Sequence, residues 1–315
     1  MDRGYYVHSV GKDQGYFPRW RPLTPNVIPC PYCSSPGRHK FFYGGRNYFH
    51  CGRCDLIFSP LAEKDVEASI RHYRDNYHQA SASDQLSPER LDIYEKIIDQ
   101  IEKTQKTGTI LDVGCGRGSF LRAAARRGWA AQGIDPSLDS IREAEKNLKG
   151  HVFCVTLDDY VTANAYDVVT VINVLDHLPD VRKAMTRAAA LLKDGGLLYL
   201  RLPNALFHVA MCRFTSTTRI LSFLKPFYIF HHYSLTPRFL RRLLHDAGVT
   251  AMTIKNAPLA GGYRAPKADA SSLPFAVLNK SVYHAARLLE IVSAGRILVG
   301  PSFEVFATKQ VNRGL

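Results

Sequence analysis

The 315-residue chain has no apolar run near the roughly 18 residues that a membrane span requires, which excludes a transmembrane helix from the reading. Its opening stretch, MDRGYYVHSVGKDQGYFPRW, is polar and aromatic, without the apolar core of a secretory signal, and the expectation is a cytoplasmic protein. Internal repeats and low-complexity tracts are absent. Acidic residues are scarce at one end: from Arg201 to Leu315 only 4 Asp and Glu stand against 15 Lys and Arg, most of the net charge of +13. Such lopsidedness points to an anionic partner (nucleic acid, a phosphorylated substrate or an acidic membrane surface) or to a basic surface that only confers solubility. The seven cysteines do not form a secreted disulfide framework. Cys115, Cys154 and Cys212 stand singly in apolar or glycine-rich surroundings, where a reduced thiol packs as a small hydrophobe, and this fits a reducing compartment.

What is present is enough for one large α/β domain and a small appendage, with 46% hydrophobic residues to fill a core. Residues 1–29 read as an irregular arm, 30–60 as a cysteine module, 61–107 as a helical cover and 108–315 as the main domain. In PERLDIYEKIIDQIEKT, Leu91, Tyr94, Ile97, Ile98 and Ile101 recur at helical spacing, with Pro88 near the first turn. After Gly108, strand and helix alternate: TILDV, SFLRAAARR, WAAQGID, SLDSIREAEKNLK, HVFCVT, YDVVTVIN, VRKAMTRAAALLK and GLLYLRLP. Alternation of this kind means a parallel sheet covered by helices on both faces. The aromatic and basic stretch 205–233 reads as an insertion. It is followed by a helix in TPRFLRRLLHDAG, a strand VTAMTIKN, an amphipathic helix around Val277 to Val292 and a closing strand SFEVFATK.

The central signal is Leu111-Asp112-Val113-Gly114-Cys115-Gly116-Arg117-Gly118, placed between a strand and a helix. Glycines let the backbone turn sharply and approach a ligand, and amides at the helix start are expected to face it. A dinucleotide loop has the spacing GxGxxG, whereas this one is GxGxG preceded by an acid. Asp112 would repel a pyrophosphate and suits a ligand carrying a cationic amino group, as S-adenosylmethionine does. Asp135, at the end of the second strand, can accept from both hydroxyls of a ribose; it can also serve as a turn residue before Pro136, and the two roles are compatible.

Cys30 and Cys33 in CPYC are separated from Cys51 and Cys54 in CGRC by 17 residues, within the spacing of a zinc ribbon. Four thiolates close a tetrahedron, so the zinc is expected to be structural. Arg38, His39, Lys40, Arg46 and Arg53 make a modest basic cluster, leaving open a grip on nucleic acid or a module that packs on the main domain.

LDVGCGRG, GIDPS, YDVVTVINVLDHLPD and LLKDGGLLYLRLPN, in that order and spacing over about 100 residues, resemble the class I, Rossmann-like, S-adenosylmethionine-dependent methyltransferases. The layout of CPxC, CxxC, DLIFSP, RHYRDNYH, HHYSLTPRFLRRLLHDAGV and FEVFATK is similar to a subgroup with an N-terminal cysteine ribbon, many of whose members modify sugars, surface polysaccharides or other small metabolites. The resemblance implies a seven-stranded sheet of order 3-2-1-4-5-7-6 with one antiparallel strand. It implies cofactor contacts from Asp112, Gly114, Cys115, Gly116 and Gly118 to the methionine part and from Asp135 to the ribose, and places Asn173 beside the sulfonium. The family's acid after the third strand is displaced here: Thr156 takes the aligned place, leaving Asp158, with the Leu157 backbone, as the candidate adenine contact.

Methyl transfer is an in-line displacement that needs alignment and exclusion of water, with a general base only for a hydroxyl or protonated amine. His177 is the candidate base because its ordinary pKa is near neutrality; the alternative is a packing role below the cofactor. His231, His232, Tyr233, Tyr73 and Tyr77 stand behind it. The preferred reading is a small-molecule or glycan O-methyltransferase, its acceptor phosphorylated or lipid-linked to suit the basic end. The competitors are a nucleic-acid methyltransferase of the rRNA type and a non-catalytic scaffold. No NPPY-type tetrapeptide follows the fourth strand, and the cysteine spacing lacks the final Cys-xxx-His of zinc-bearing rRNA guanine methyltransferases, which weakens the first competitor. The intact glycine loop weakens the second. The 205–233 insertion is expected to act as a lid over the acceptor, as a cover for the sheet edge, or as a contact with an anionic membrane surface.

Overall fold

In the computed structural model, residues 25–61, 88–217, 230–258 and 273–310 are described, with five positions between 67 and 75. Tyr73, Tyr77, residues 1–24 of the arm and 218–229 of the insertion lie outside the described residues.

The main sheet uses β5 (Thr109–Val113), β6 (Ala130–Asp135), β7 (Val152–Cys154), β8 (Tyr166–Ile172), β9 (Leu192–Pro203), β11 (Val249–Asn256) and β12 (Ser302–Lys309). Its order is β11-β12-β9-β8-β5-β6-β7, which is 3-2-1-4-5-7-6 read from the other edge, as expected. β5, β6, β7, β8 and β9 pair in parallel, and β12 runs antiparallel between β9 and β11. The glycine loop after β5, Asp135 at the end of β6, Asn173 after β8 and Asn204 after β9 therefore all lie at one end of the sheet, where ligands of open α/β folds bind.

Helices α1 (Pro88–Glu102), α2 (Ser119–Arg126), α3 (Leu138–Leu148) and α4 (Val181–Ala190) cover the sheet. Ser137 and Asp180 cap α3 and α4 by accepting from their first-turn amides, a one-residue reason for each helix to start where it does. In α1 the buried face is Ile93, Tyr94, Ile97, Ile98 and Ile101, whereas Leu91 is exposed. Ile93 takes the inward place because the stripe continues from Ile97 back by four residues. α7 (Leu273–Val292) departs from the amphipathic expectation: Leu288, Leu289, Ile291 and Val292 are exposed, and Glu290 is buried. Glu290 Oε2 accepts from the Asn256 amide and side chain at 2.9 and 2.8 Å, so polar bonds to the end of β11 anchor that turn of the helix.

The cysteine module is a second sheet of β1 (Val27–Pro29), β2 (Pro36–Tyr43), β3 (Arg46–Cys51) and β4 (Ile57–Phe58), completed by β10 (Tyr233–Ser234) from far along the chain. β10 pairs antiparallel with β4, and α6 (Pro237–Asp246) follows it. Thr236 caps α6 through Phe239 N while its hydroxyl donates to Asp55 Oδ2 at 2.8 Å. Tyr32 donates to Asp246 Oδ2 at 2.6 Å, with the Arg182 guanidinium over its ring. Cys30, Phe49, Cys51, Cys54 and Phe58 share one core with Leu200, Tyr233, Phe239 and Leu243. The module is thus built into the main domain.

Candidate functional site

The glycine loop follows β5 with Gly114, Gly116 and Gly118 all in the left-handed region, which side-chain-bearing residues rarely adopt. Its amides are largely consumed inside the protein. Gly114 N and Cys115 N donate to the Ile134 carbonyl, Gly116 N to Asp135 Oδ2 and Gly118 N to the Cys115 carbonyl. With those four amides engaged inside the protein and acids beside it, the turn favours a cation over a phosphate.

Asp112 is buried, with Oδ1 accepting from Thr170 Oγ1 at 2.7 Å. Burial, aided by the nearby Asp135 charge, pushes its carboxyl up to about 7 against that hydrogen bond. Asp135 is also raised by burial, although it accepts from the backbone amides of Gly116 and Ser137, both at 2.9 Å. Among the described residues no cationic side chain bonds to either carboxyl, buried Asp112 or half-buried Asp135, and the two together are the complement of a ligand ammonium. Each Asp135 oxygen keeps a lone pair for a ribose hydroxyl. Asp112, Asp135 and the glycine turn therefore fit S-adenosylmethionine, with Leu157 buried further along.

Other expected contacts are placed differently. The Cys115 thiol packs against Gly133 of β6, where an added Cβ would come within 2.8 Å of the sulfur, so its side chain faces away from the loop's ligand face. Asp158 is at the surface and accepts from Lys183 Nζ at 2.8 Å, so its carboxylate is already occupied by a lysine of α4. Asn173 has a φ of 56°, a left-handed conformation that asparagine tolerates, and its amide donates to the Arg201 carbonyl at 2.7 Å.

The turn after Asn173 is a short 3-10 helix, Leu175–His177, which buries Asp176 and leaves His177 partly accessible. The His177 ring centroid lies 3.8 Å from that of His231, on the segment leading into β10. His231 Nε2 is 3.5 Å from Asp176 Oδ2. Burial pushes the His231 imidazole down and the Asp176 carboxyl up, so this contact is not an ion pair at neutral pH. Spacing could not have revealed Asp176 and His231 as neighbours, since they meet only through the tertiary fold. The remaining candidates have other partners: His232 Nδ1 meets Arg46 Nη1 at 3.0 Å, and Tyr233 donates to the Pro179 carbonyl at 2.7 Å. Of the expected lid, α5 (Ala205–Thr217) is described, with Phe207 half-buried and Phe214 and Arg213 exposed. Phe230 packs on Phe41 and Tyr48 of the cysteine module. Phe223, Phe227, Tyr228, Arg219 and Lys225 lie outside the described residues.

The sulfurs of Cys30, Cys33, Cys51 and Cys54 lie within 4.8 Å of one another, with Cys30–Cys54 at 3.6 Å and Cys33–Cys51 at 3.5 Å. A disulfide would hold them at about 2.05 Å. A tetrahedral ion with arms of about 2.3 Å separates its sulfurs by about 3.8 Å, so this set fits a zinc-like ion.

This is the architecture of a Rossmann-like methyltransferase, with a carboxylate-flanked glycine loop at the mouth of its parallel strands. A family model described as "Methyltransferase domain" matches residues 73–253, more than half of the chain, and the chain belongs to that family. A ubiquinone biosynthesis O-methyltransferase of a Bradyrhizobium species is 34% identical over 100 residues, which are 30% of this chain and 40% of that protein. One from Vibrio atlanticus is 27% identical over 219 residues, 65% of this chain and 89% of that protein. Among solved structures, the plantazolicin methyltransferase BpumL in complex with SAH is similar in fold, with a TM-score of 0.50 and 17% identity over 78% of this chain and 97% of that one.

Proposed function

We propose that the protein transfers a methyl group from S-adenosylmethionine to a hydroxyl of a small molecule. The observation that carries this reading is the pair of carboxyls, buried Asp112 and half-buried Asp135, at a glycine turn whose Gly114, Cys115, Gly116 and Gly118 amides are already used. Bound there, the cofactor supplies an electrophilic methyl on a sulfonium. Asp112 and Asp135 hold its ammonium and ribose ends, and the Asn173 turn lies on the side where the methyl must point. The acceptor hydroxyl sits against Asp176, His177 and His231, where its proton leaves, with His177 on the accessible side of the group. The names of the O-methyltransferase relatives support an oxygen acceptor; a sugar or glycan is one member of this class and a lipid-linked phenol another. Cys30, Cys33, Cys51 and Cys54 bind a structural zinc that fixes the sheet carrying β10.

The test is to incubate cell extract with the purified protein and methyl-labelled cofactor, with and without nuclease. Label in nuclease-resistant small or lipid-soluble material, stable to mild base as an ether is, is the expected result. Label lost to nuclease would replace this reading with a nucleic-acid methyltransferase, and no label above a Gly116→Val control would overturn it.

A further inference from the structure

We infer that Asp176, His177 and His231 form a second metal site, holding a divalent cation such as zinc at the floor of the acceptor pocket. Their ligand atoms lie within 4.8 Å of one another. Zinc, at about 2.0–2.1 Å from imidazole nitrogen and carboxylate oxygen, needs them about 3.3 Å apart, so a contraction of at most about 1.5 Å closes the set. One pair, His231 Nε2 and Asp176 Oδ2, is already at 3.5 Å.

An independent observation comes from Asp176 itself. The residue is 3% exposed, and its Oδ1 has no hydrogen-bond partner among the described residues. An unsatisfied buried carboxylate oxygen costs more than almost any other isolated polar atom, and buried charges are ordinarily paired or bound to metal. The neighbouring groups are imidazoles, beside a crevice lined by Asp176, Pro203, Ala205, His231 and Tyr233 that is too tight for a water molecule. Two imidazoles and one carboxylate leave a position open, which is the composition of a catalytic rather than a structural site. The cysteine cluster, by contrast, is closed.

The inference rests on the proposed hydroxyl acceptor and deepens it. A hydroxyl on the open position ionises more easily because the cation stabilises the oxyanion. Its proton passes to solvent, so His177 serves as a ligand and not as the base. The oxygen lone pair then forms the C–O bond as the C–S bond breaks, its electron pair staying on sulfur. Acceptors with a second oxygen beside the first would be favoured, since both can bind the cation.

The full chain is equilibrated with zinc alone, freed of excess by gel filtration and analysed for metal. The wild type should carry one more zinc per chain than Asp176→Asn, His231→Gln or the partly accessible His177→Gln, while cofactor affinity stays the same in each as a check on folding. Equal zinc in wild type and in every variant that binds cofactor would overturn the site. In the labelling assay, zinc-depleted protein that transfers methyl at the full rate would also overturn it while leaving the hydroxyl acceptor standing. Label that is not on oxygen in any preparation would remove the reading on which it rests.

Discussion

Asp112 couples folding to proton uptake. Burial raises its carboxyl to about 7, above the ordinary carboxylate value, so the folded protein holds a proton that the unfolded chain has released. Stability therefore falls as pH rises between about 4 and about 7, and the cost is fully present above that window. Asp112→Asn keeps an acceptor for Thr170 and removes the charge. Its melting temperature should exceed the wild type's at about pH 8, with the difference vanishing at about pH 4; an unchanged difference across that range would show the carboxyl to be unperturbed. A bound ammonium reverses the balance by favouring the ionised form. Wild-type affinity for S-adenosylhomocysteine, measured calorimetrically, should strengthen as pH rises through about 7 and become independent of pH in Asp112→Asn. Asp135 acts differently, because it tethers Gly116 and Ser137 through their amides. Asp135→Ala loses a charged acceptor worth roughly 1.5–3 kcal/mol, or about ten- to a hundredfold in cofactor affinity. Wild-type affinity in that variant would remove it from the site.

At the scale of elements, close packing between strand and helix fixes the loop. A Cβ on Gly133 in β6 would come within 2.5 Å of Leu121 and 2.7 Å of Cys115, both held by the α2 region. Gly133→Val should cost about 1–3 kcal/mol by overpacking, read as a lower melting temperature, and should weaken cofactor binding because Cys115 lies in the loop itself. The cysteine module reaches the candidate site through β10. β4 pairs with β10, and the segment entering β10 carries His231. Cys51→Ser should therefore lower zinc content and slow methyl transfer, with cofactor affinity nearly unchanged, since Cys30, Cys33, Cys51 and Cys54 lie outside the glycine loop. Equal losses of cofactor affinity and turnover would point to global unfolding instead.

For the whole molecule, the shared core predicts cooperativity. Cys30, Cys51 and Cys54 belong to the same buried cluster as Leu200 and Phe239, so the module has little core of its own. The expectation from spacing alone, that losing a thiolate would loosen a ribbon more than the sheet, gives way to a joint one. Chelation should shift a single calorimetric transition downwards; a separate early transition for the module would contradict this. The basic end of the chain is also partly spoken for. Arg201 is buried beside Glu304 and donates to the Pro258 carbonyl, Lys255 lies against Glu304 and Gln100, Arg287 pairs with Glu290, and Lys309 donates to the Leu192 carbonyl. Arg201, Lys255 and Lys309 are used in holding β9, β11 and β12 together and Arg287 within α7, and the excess charge is not by itself a sign of an anionic partner. No helix among the described residues is long and apolar enough to cross a membrane.

The sequence by itself determined the features that are local in the chain. The positions of the sheet strands along the chain followed from alternating apolar runs and turn residues, and their order in the sheet from the family resemblance. The glycine loop followed from three glycines after an acid, and the cysteine cluster from two CxxC pairs at a workable separation. Asp112, Asp135 and the four thiols stood out as candidates because each lies in a short motif at a strand end or in a CxxC pair. Only the tertiary structure decided what depends on distant segments meeting. It spent the loop's amides on Ile134 and Asp135, put Lys183 on Asp158, stitched the module to β10, and brought His231 across to Asp176 and His177. The physical reason is that periodicity reports which face of an element is apolar. Which buried polar groups become neighbours depends on how whole elements dock, and no local pattern encodes that.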